Sequence, residues 1–178
     1  MVWYLLCCGK WLAIMDYQVF YKRLTAPFRR YPWLIKILKF INRLIVCLVY
    51  CSFLGILIEA GMKKLSLLLW IIVVAASGFI LLSLVRRLIN APRPYEQYQI
   101  QPLIYRSKHG ESFPSRHVFS ATLISMCALR LSFVWGAILL IFAVFLAIVR
   151  VIAGIHFPRD VVVGFFAGLA WGFLLFLS

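Results

Sequence analysis

Runs of apolar residues, each close to the length needed to cross a membrane, dominate this chain of 178 residues. A helix needs about 20 predominantly apolar residues to span the hydrocarbon core of a bilayer. Hydrophobic residues make up 65% of the chain, more than a soluble domain of this size could bury. Five runs stand out: 41–60, 65–85, 117–131, 134–153 and 160–178. The sequence therefore predicts an all-α fold, a polytopic transmembrane helical bundle that forms a single domain over residues 1–178.

The first 40 residues are less regular than the rest. Residues 1–20 are apolar but contain Lys10 and Asp16, so they are candidates either for a sixth span or for a segment that lies on the membrane. Residues 21–40 interleave basic residues with aromatic and aliphatic ones, a composition typical of an interfacial amphipathic helix. We therefore expect residues 1–40 to form an amphipathic or membrane-lying N-terminal segment.

The charge of the chain is strongly positive. Nineteen Lys and Arg against five Asp and Glu give a formal net charge of +14. In a soluble protein this would suggest nucleic acid, but the apolar runs favour an anionic phospholipid bilayer and phosphate groups as partners, and no nucleic acid. The cysteines form no C-x-x-C pair, so we expect packing residues rather than a disulfide framework or a zinc site. They are Cys7, Cys8, Cys47, Cys51 and Cys127.

The long connection at residues 86–116 contains four prolines and is rich in polar residues. Proline in such number predicts an irregular loop rather than a helix, and a loop this long in a compact protein is usually functional. The apolar run before it ends at Arg86, and the run after it starts at His117. The next run ends just after Arg150, and the last starts at Asp160. Alternating spans therefore bring the ends of these runs to one membrane face.

Three clusters of charged and polar residues lie at these run ends. They read Arg86-(six residues)-Arg93-Pro94, then Pro114-Ser115-Arg116-His117, then Arg150-(five residues)-His156-(three residues)-Asp160. Charges in a membrane protein's interior are costly and usually functional. Arginine forks suit bidentate contact with phosphate, although basic residues at helix ends also commonly reach for the membrane surface. We favour the surface role for Arg87 and Arg130, and phosphate binding for Arg93, which is held between two prolines.

The middle cluster predicts the start of a helix. Proline at position 114 suits a first helical turn, and a helix N-terminus offers N–H groups and a favourable dipole to an anion. Ser115 alone could be only an N-cap, and His117 alone could be only an interfacial polar residue. Together, beside arginines, they favour phosphate binding combined with proton transfer.

The last cluster suggests a nucleophile. Asp160 could accept one imidazole N–H of His156 and leave the other nitrogen free to attack, whereas the alternative is a salt-bridged loop in which Asp160 only caps the last helix. Three histidines and five acidic residues in the whole chain make a metal site hard to build. We therefore expect no metal and no cofactor.

The spacing and order of the three clusters resemble the signature of the type 2 phosphatidic acid phosphatase superfamily, which also contains vanadium haloperoxidases. That pattern is Lys, six residues, Arg-Pro; then Pro-Ser-Gly-His; then Ser-Arg, five residues, His, three residues, Asp. The chain departs from it at Arg86 in place of lysine, Arg116 in place of glycine, and Val149 in place of serine. The first change keeps the charge, whereas the other two bear on the phosphate contacts and on substrate choice.

The resemblance implies a mechanism. His156 would attack phosphorus and form a phosphohistidine, Asp160 would orient it, and His117 would act as acid and then as base. The phosphoryl oxygens would be held by the remaining polar residues of the clusters, which are Arg86, Arg93, Ser115, Arg116 and Arg150.

The resemblance also implies a membrane lipid phosphate as substrate. Small bacterial members act on phosphatidic acid, phosphatidylglycerol phosphate or undecaprenyl diphosphate, and the sequence does not choose among them. The expected location is a bacterial cell membrane with an extracytoplasmic active site, although the basic stretch 22–43 favours the cytoplasmic side by the positive-inside rule. A non-catalytic protein that binds or transports anionic lipid is the main alternative. Vanadate-dependent peroxidase chemistry fits a membrane-embedded chain poorly.

Overall fold

Every element in the computed structural model, which describes residues 17–105 and 109–177, is helical. This confirms the predicted all-α class. The helices in chain order are α1 (Tyr17–Arg30), α2 (Pro32–Lys63), α3 (Leu65–Ile89), α4 (Pro94–Gln97), α5 (Arg116–Leu131), α6 (Phe133–Ile152) and α7 (Pro158–Gly172), with a 3-10 turn at Phe173–Phe176.

The number of spans differs from the prediction. Four helical segments of the described chain are long and apolar enough to cross a membrane: Pro32–Lys63, Leu65–Gln97, Phe133–Ile152 and Pro158–Phe176. The predicted span at 117–131 corresponds to α5, whose 16 residues extend only about 24 Å, less than the roughly 30 Å of a bilayer core. The candidate sixth span at 1–20 lies mostly outside the described residues.

Helix α5 is the centre of the bundle, and this explains how it can be short. All of its residues from Val118 to Ala128 are buried. It packs mainly against α6 and α7 and also contacts α2 and α3. A helix enclosed by other helices has almost no surface in contact with lipid, so its length does not have to match the thickness of the bilayer.

Two glycines let α7 approach α5 closely. A Cβ at Gly168 would lie 2.8 Å from Cβ of Thr122, and a Cβ at Gly164 would lie 2.7 Å from the carbonyl oxygen of Ser115. Small residues allow helix backbones to come together in this way in membrane proteins. The close approach holds the middle of α7 against the first two turns of α5.

The basic segment predicted as one interfacial helix over 21–40 is divided between two helices. Helix α1 ends at Arg30, and Pro32 begins α2, because a proline suits the first turn of a new helix better than the interior of an old one. Helix α1 buries Tyr17, Tyr21 and Thr25 and exposes its basic residues. The membrane-lying role of this segment stays a prediction.

At one end of the bundle, the ends of α3 and α6 lie near the starts of α5 and α7. Helix α3 continues to Ile89, so the irregular connection is shorter in sequence than predicted. Helix α4 forms a single helical turn within it. Helix α5 then starts at Arg116, one residue after the expected N-cap position of Ser115 and two after Pro114. The Tyr21 hydroxyl donates to the Ile152 carbonyl (3.3 Å) and accepts from Leu103 N–H (3.3 Å), which places α1 at this end as well.

Candidate active site

Arg86 ties the end of α3 to the loop that leads into α5. Its side chain is 5% exposed. Nη1 donates to the carbonyls of Pro114 and, at 3.4 Å, of Ser112, and Nη2 donates to the carbonyl of Glu111. Arg86 therefore shapes the loop around Ser115 through direct contacts, in addition to contributing charge.

Arg93 is buried between its two prolines, as its sequence context suggested. Its Nε donates to the Gly110 carbonyl (3.2 Å), while Nη1 is buried and has no hydrogen-bond partner within the described chain. Glu96 fixes this turn, since its carboxylate accepts from the backbone N–H of Arg93 (2.8 Å) and of Gly110 (3.0 Å). A buried guanidinium with an unused donor is costly unless an anion binds there.

Ser115 occupies the N-cap position of α5, but its side chain does not cap the helix. Its backbone N–H donates to the Asp160 carbonyl (2.8 Å), which joins the second cluster to the third. Its hydroxyl is fully buried, and in residues 17–105 and 109–177 it has no partner. The alternative that Ser115 is only an N-cap is therefore not supported.

His156 and Asp160 form a buried pair, although they do not lie on adjacent turns of one helix. Helix α7 begins at Pro158, so His156 lies in the preceding loop and Asp160 in the first turn. Nδ1 of His156 lies 3.5 Å from Oδ2 of Asp160, which also accepts from the Phe157 N–H at 3.0 Å. Asp160 thus caps α7 and contacts the imidazole at once, so the two roles weighed for it are compatible.

Ser112 is a third member of this pair. Its hydroxyl donates to Asp160 Oδ2 at 2.5 Å and lies 3.4 Å from His156 Nδ1. It is fully buried. Sequence reasoning passed over it because a single serine in a loop carries no periodic or charge signal. The one sequence feature that could have pointed to Ser112 is its position two residues before Pro114, at the start of the second cluster.

Burial lowers the pKa of His156 to about 4. Contact with Asp160 opposes this shift, whereas the positive charges of Arg150 and Arg93 add to it. The imidazole is therefore neutral at ordinary pH, the form in which it can act as a nucleophile. Arg93 and Arg150 therefore belong to the electrostatic surroundings of His156.

The three remaining residues predicted for the site, Arg150, His117 and Arg116, lie in three different surroundings. Arg150, 1% exposed, lies in the last turn of α6. His117, in the first turn of α5, borders a small cavity lined by residues of α2, α5 and α6, among them Tyr50, Ser120 and Leu146. The Arg116 guanidinium lies over the ring of Phe79, 5.7 Å from its centroid, in a groove on the side of α3. Arg116 therefore turns toward α3 instead of adding a fourth buried arginine to the cluster.

The buried charges of this site do not balance. Among the described residues, the buried ionic side chains are three arginines and one aspartate, together with the neutral His156. The arginines are Arg86, Arg93 and Arg150, and the aspartate is Asp160. Uncompensated buried charge is strongly unfavourable, so the cluster is suited to an anion that supplies the missing negative charge. Within the described chain, no group of three or more His, Cys, Asp or Glu could hold a metal ion.

The sequence of the chain matches the model of a known protein family. Residues 63–178 match the model of the PAP2 superfamily, so the chain belongs to that superfamily. The class that the fold and the site define is a membrane-embedded phosphoric ester hydrolase. The matched region contains all three clusters and leaves α1 and most of α2 outside it.

Two solved structures share the fold. The crystal structure of LpxE from Aquifex aeolicus is 23% identical in sequence and has a TM-score of 0.69, covering 92% of this chain and 97% of that one. A transmembrane PAP2-type phosphatidylglycerolphosphate phosphatase from Bacillus subtilis is 24% identical, with a TM-score of 0.64, covering 89% of this chain and 83% of that one. None of the curated proteins matches the sequence.

Proposed function

We propose that this protein is a phosphatase that hydrolyses a membrane lipid phosphate through a phosphohistidine on His156, without a metal ion. The observation that carries the proposal is the buried cluster in which a neutral histidine, oriented by a carboxylate, lies beside Arg93, whose Nη1 has no hydrogen-bond partner in the described chain. The Bacillus subtilis structure that shares the fold is a transmembrane phosphatase of the PAP2 type, which supports the proposal.

In the first step, Nε2 of His156 attacks phosphorus while Nδ1–H faces Asp160. The bond from phosphorus to the lipid oxygen breaks, the electron pair stays on that oxygen, and His117 gives it a proton. The unused donors of Arg93 and Ser115, together with Arg150, stabilise the charge on the phosphoryl oxygens.

In the second step, water attacks the phosphohistidine. His117, now neutral, takes a proton from the water, the N–P bond breaks, and its electron pair returns to His156. Inorganic phosphate leaves, and both histidines are restored. Arg86 keeps the 111–114 loop in place throughout through its bonds to the loop carbonyls.

An apolar groove supports a lipid substrate. It has a volume of about 460 Å³ and lies between α2, α3 and α5. It shares Tyr50 and Ser120 with the cavity beside His117, and it shares Phe79 with the groove beneath Arg116. A hydrocarbon chain in this groove would reach the polar end of the bundle beside the residue assigned as general acid. The proposed occupant is therefore the acyl or prenyl chain of the substrate.

Phosphate release from a panel of lipid phosphates in detergent, with EDTA present, tests the proposal. We expect release from the wild type, inhibition by vanadate, and none from His156→Ala. Lys64→Ala, an exposed position at the far end of the bundle, is the matched control and should keep full activity. Loss of activity in EDTA would contradict the absence of a metal. Binding without any release would favour the alternative of a lipid-binding or transport protein.

We propose further that the site faces the outside of a bacterial cell membrane. The family resemblance supports this side, while the exposed basic residues of α1 favour the other by the positive-inside rule. Labelling in sealed vesicles, with native cysteines replaced by alanine, separates the two. Gln99→Cys in the site loop should react with an impermeant maleimide added outside right-side-out vesicles, and Lys64→Cys should be protected. The reverse pattern would place the site in the cytoplasm.

A further inference from the structure

The groove beneath Arg116 has the character of a second anion site. It has a volume of about 340 Å³ and lies along the outer side of α3, where it meets the first turn of α5. Three arginines line it, with one acidic residue and a short row of apolar and hydroxyl side chains from α3. The lining residues are Phe79, Ile80, Ser83, Leu84, Arg86, Arg87, Glu111 and Arg116.

Arg116 is held in a position suited to binding from the side. Its guanidinium lies over the Phe79 ring, 5.7 Å from the centroid, an arrangement that steadies the cation and leaves the in-plane N–H groups available to hydrogen-bond acceptors. Arg87 is exposed on the same stretch of α3. Arg87 and Arg116 are therefore two cations of this groove that lie outside the buried cluster.

Arg86 connects the groove with the catalytic cluster. It lines the groove, and its guanidinium donates hydrogen bonds to the carbonyls of Glu111 and Pro114, in the loop that precedes Ser115. The charges of Arg116, Arg93 and Asp160 all act on it. An anion against Arg116 would thus lie near the reacting phosphoryl group but separated from it by the Arg86 side chain. A group joined directly to the reacting phosphorus does not fit this separation as well as one several bonds away.

We propose that this groove binds a second phosphate of the substrate itself, a phosphodiester linked to the reacting phosphomonoester through a short spacer. This inference rests on the proposed function and specifies its substrate class. The apolar groove for the hydrocarbon chain adjoins it through Phe79, so one lipid could fill both. Among lipid phosphates, phosphatidylglycerol phosphate has this arrangement, and phosphatidic acid lacks the second group.

Lipid binding in the His156→Ala background tests the inference without turnover. Phosphatidylglycerol phosphate and phosphatidic acid with identical acyl chains are titrated in neutral detergent micelles against proteins with Arg116, Arg116→Ala and Arg116→Lys. We expect Arg116→Ala to weaken binding of the first lipid about tenfold more than binding of the second, the effect of one lost charge-assisted contact. Arg116→Lys should give an intermediate ratio, and Lys64→Ala should change neither lipid.

Three outcomes would overturn the inference. Equal losses for both lipids would place Arg116 at the reacting phosphoryl group or in a structural role, and no loss for either would leave the groove without this function. Phosphatidylglycerol added to the micelles is the third test. If it strengthens binding of phosphatidic acid in an Arg116-dependent way, the groove holds a separate bilayer lipid. Failure of the wild type to release phosphate from any lipid is a different result and would contradict the proposed function instead.

Discussion

Ser112 is the residue that joins His156, the proposed nucleophile, to its carboxylate partner. The hydroxyl donates to Asp160 Oδ2 at 2.5 Å and lies 3.4 Å from Nδ1 of His156. A short hydrogen bond to a carboxylate limits its rotation, so Asp160 keeps the orientation that faces the imidazole. This arrangement depends on tertiary contacts between the 111–114 loop and α7, which no local sequence pattern reports.

Replacing Ser112 with alanine should therefore slow the reaction more than it weakens binding. We expect Ser112→Ala to lower kcat about tenfold, the size of one hydrogen bond to a charged group, with KM changed by less than about threefold. Steady-state kinetics on one lipid phosphate measure both. The control is Ser77→Ala, which removes a hydroxyl that donates to the Val74 carbonyl within α3. A raised KM with an unchanged kcat would indicate that Ser112 contacts the substrate instead.

The low pKa of His156 makes a second prediction at the residue scale. With a folded-state pKa of about 4, below the ordinary value of 6.5, the imidazole stays neutral from neutral pH down to about pH 5. The unfolded chain takes up this proton first as pH falls, so burial of His156 reduces folding stability progressively from about pH 6.5 to about pH 4.

NMR of the protein labelled with 15N-histidine checks the pKa directly. The chain has three histidines, and the signal missing from His156→Gln identifies the one of interest. We expect this signal to remain that of a neutral ring at pH 5.5. A titration midpoint at or above 6.5 would show that burial does not control the charge of His156.

At the scale of elements, the approach of α7 to α5 holds the residues of the candidate active site together. Gly168→Ala would place a Cβ 2.8 Å from the Thr122 Cβ and 2.9 Å from the Phe119 carbonyl oxygen, so one helix must move. We expect a loss of about 1–3 kcal/mol of stability, the usual cost of overpacking. Thermal unfolding in detergent measures it. Gly61→Ala, whose nearest neighbour would be a flexible leucine methyl at 3.4 Å, should not destabilise the protein.

The apolar groove between α2, α3 and α5 makes a prediction about substrate length. A tryptophan at Ala76 should fill part of the groove and lower kcat/KM for long-chain lipid phosphates by about tenfold or more, because the hydrocarbon chain loses its site. Activity on a short-chain phosphate ester should fall much less. Ala170→Trp, at an exposed position on α7, is the matched control. Equal losses on short and long chains would indicate general damage instead of a tail site.

The elements were only partly predictable from the sequence. The long apolar runs located α3, α6 and α7 within a few residues, because burial in lipid demands apolar length regardless of tertiary packing. The same reasoning predicted that α5 is a membrane-spanning helix in contact with lipid. The apolar composition of a helix enclosed by other helices does not differ from that of a helix that faces lipid. The division at Pro32 was missed because the basic and aromatic pattern continues across it.

At the scale of the whole molecule, the fold gathers residues of three sequence-distant clusters into one buried, positively charged site. The clusters could be assigned to one membrane face from the alternation of spans alone. The sequence could not separate the residues of the buried site from those of the outer groove. Arg116 and Ser115 are neighbours in sequence, but the Arg116 guanidinium lies over Phe79 of α3, whereas the Ser115 N–H is bonded to Asp160 of α7. Only the tertiary structure distinguishes the unused donor of Arg93 from the loop contacts of Arg86.

The proposed hydrolysis requires a covalent intermediate at His156, and trapping that intermediate is the most direct test. The wild type is mixed with a lipid labelled with 32P at the terminal phosphate, quenched in alkaline detergent within the first turnover, and digested. We predict an acid-labile, alkali-stable label on the peptide that contains His156, absent from His156→Ala and lost when the quench is delayed until substrate is exhausted. Label on another residue, or rapid phosphate release with no labelled peptide at any time, would contradict the account.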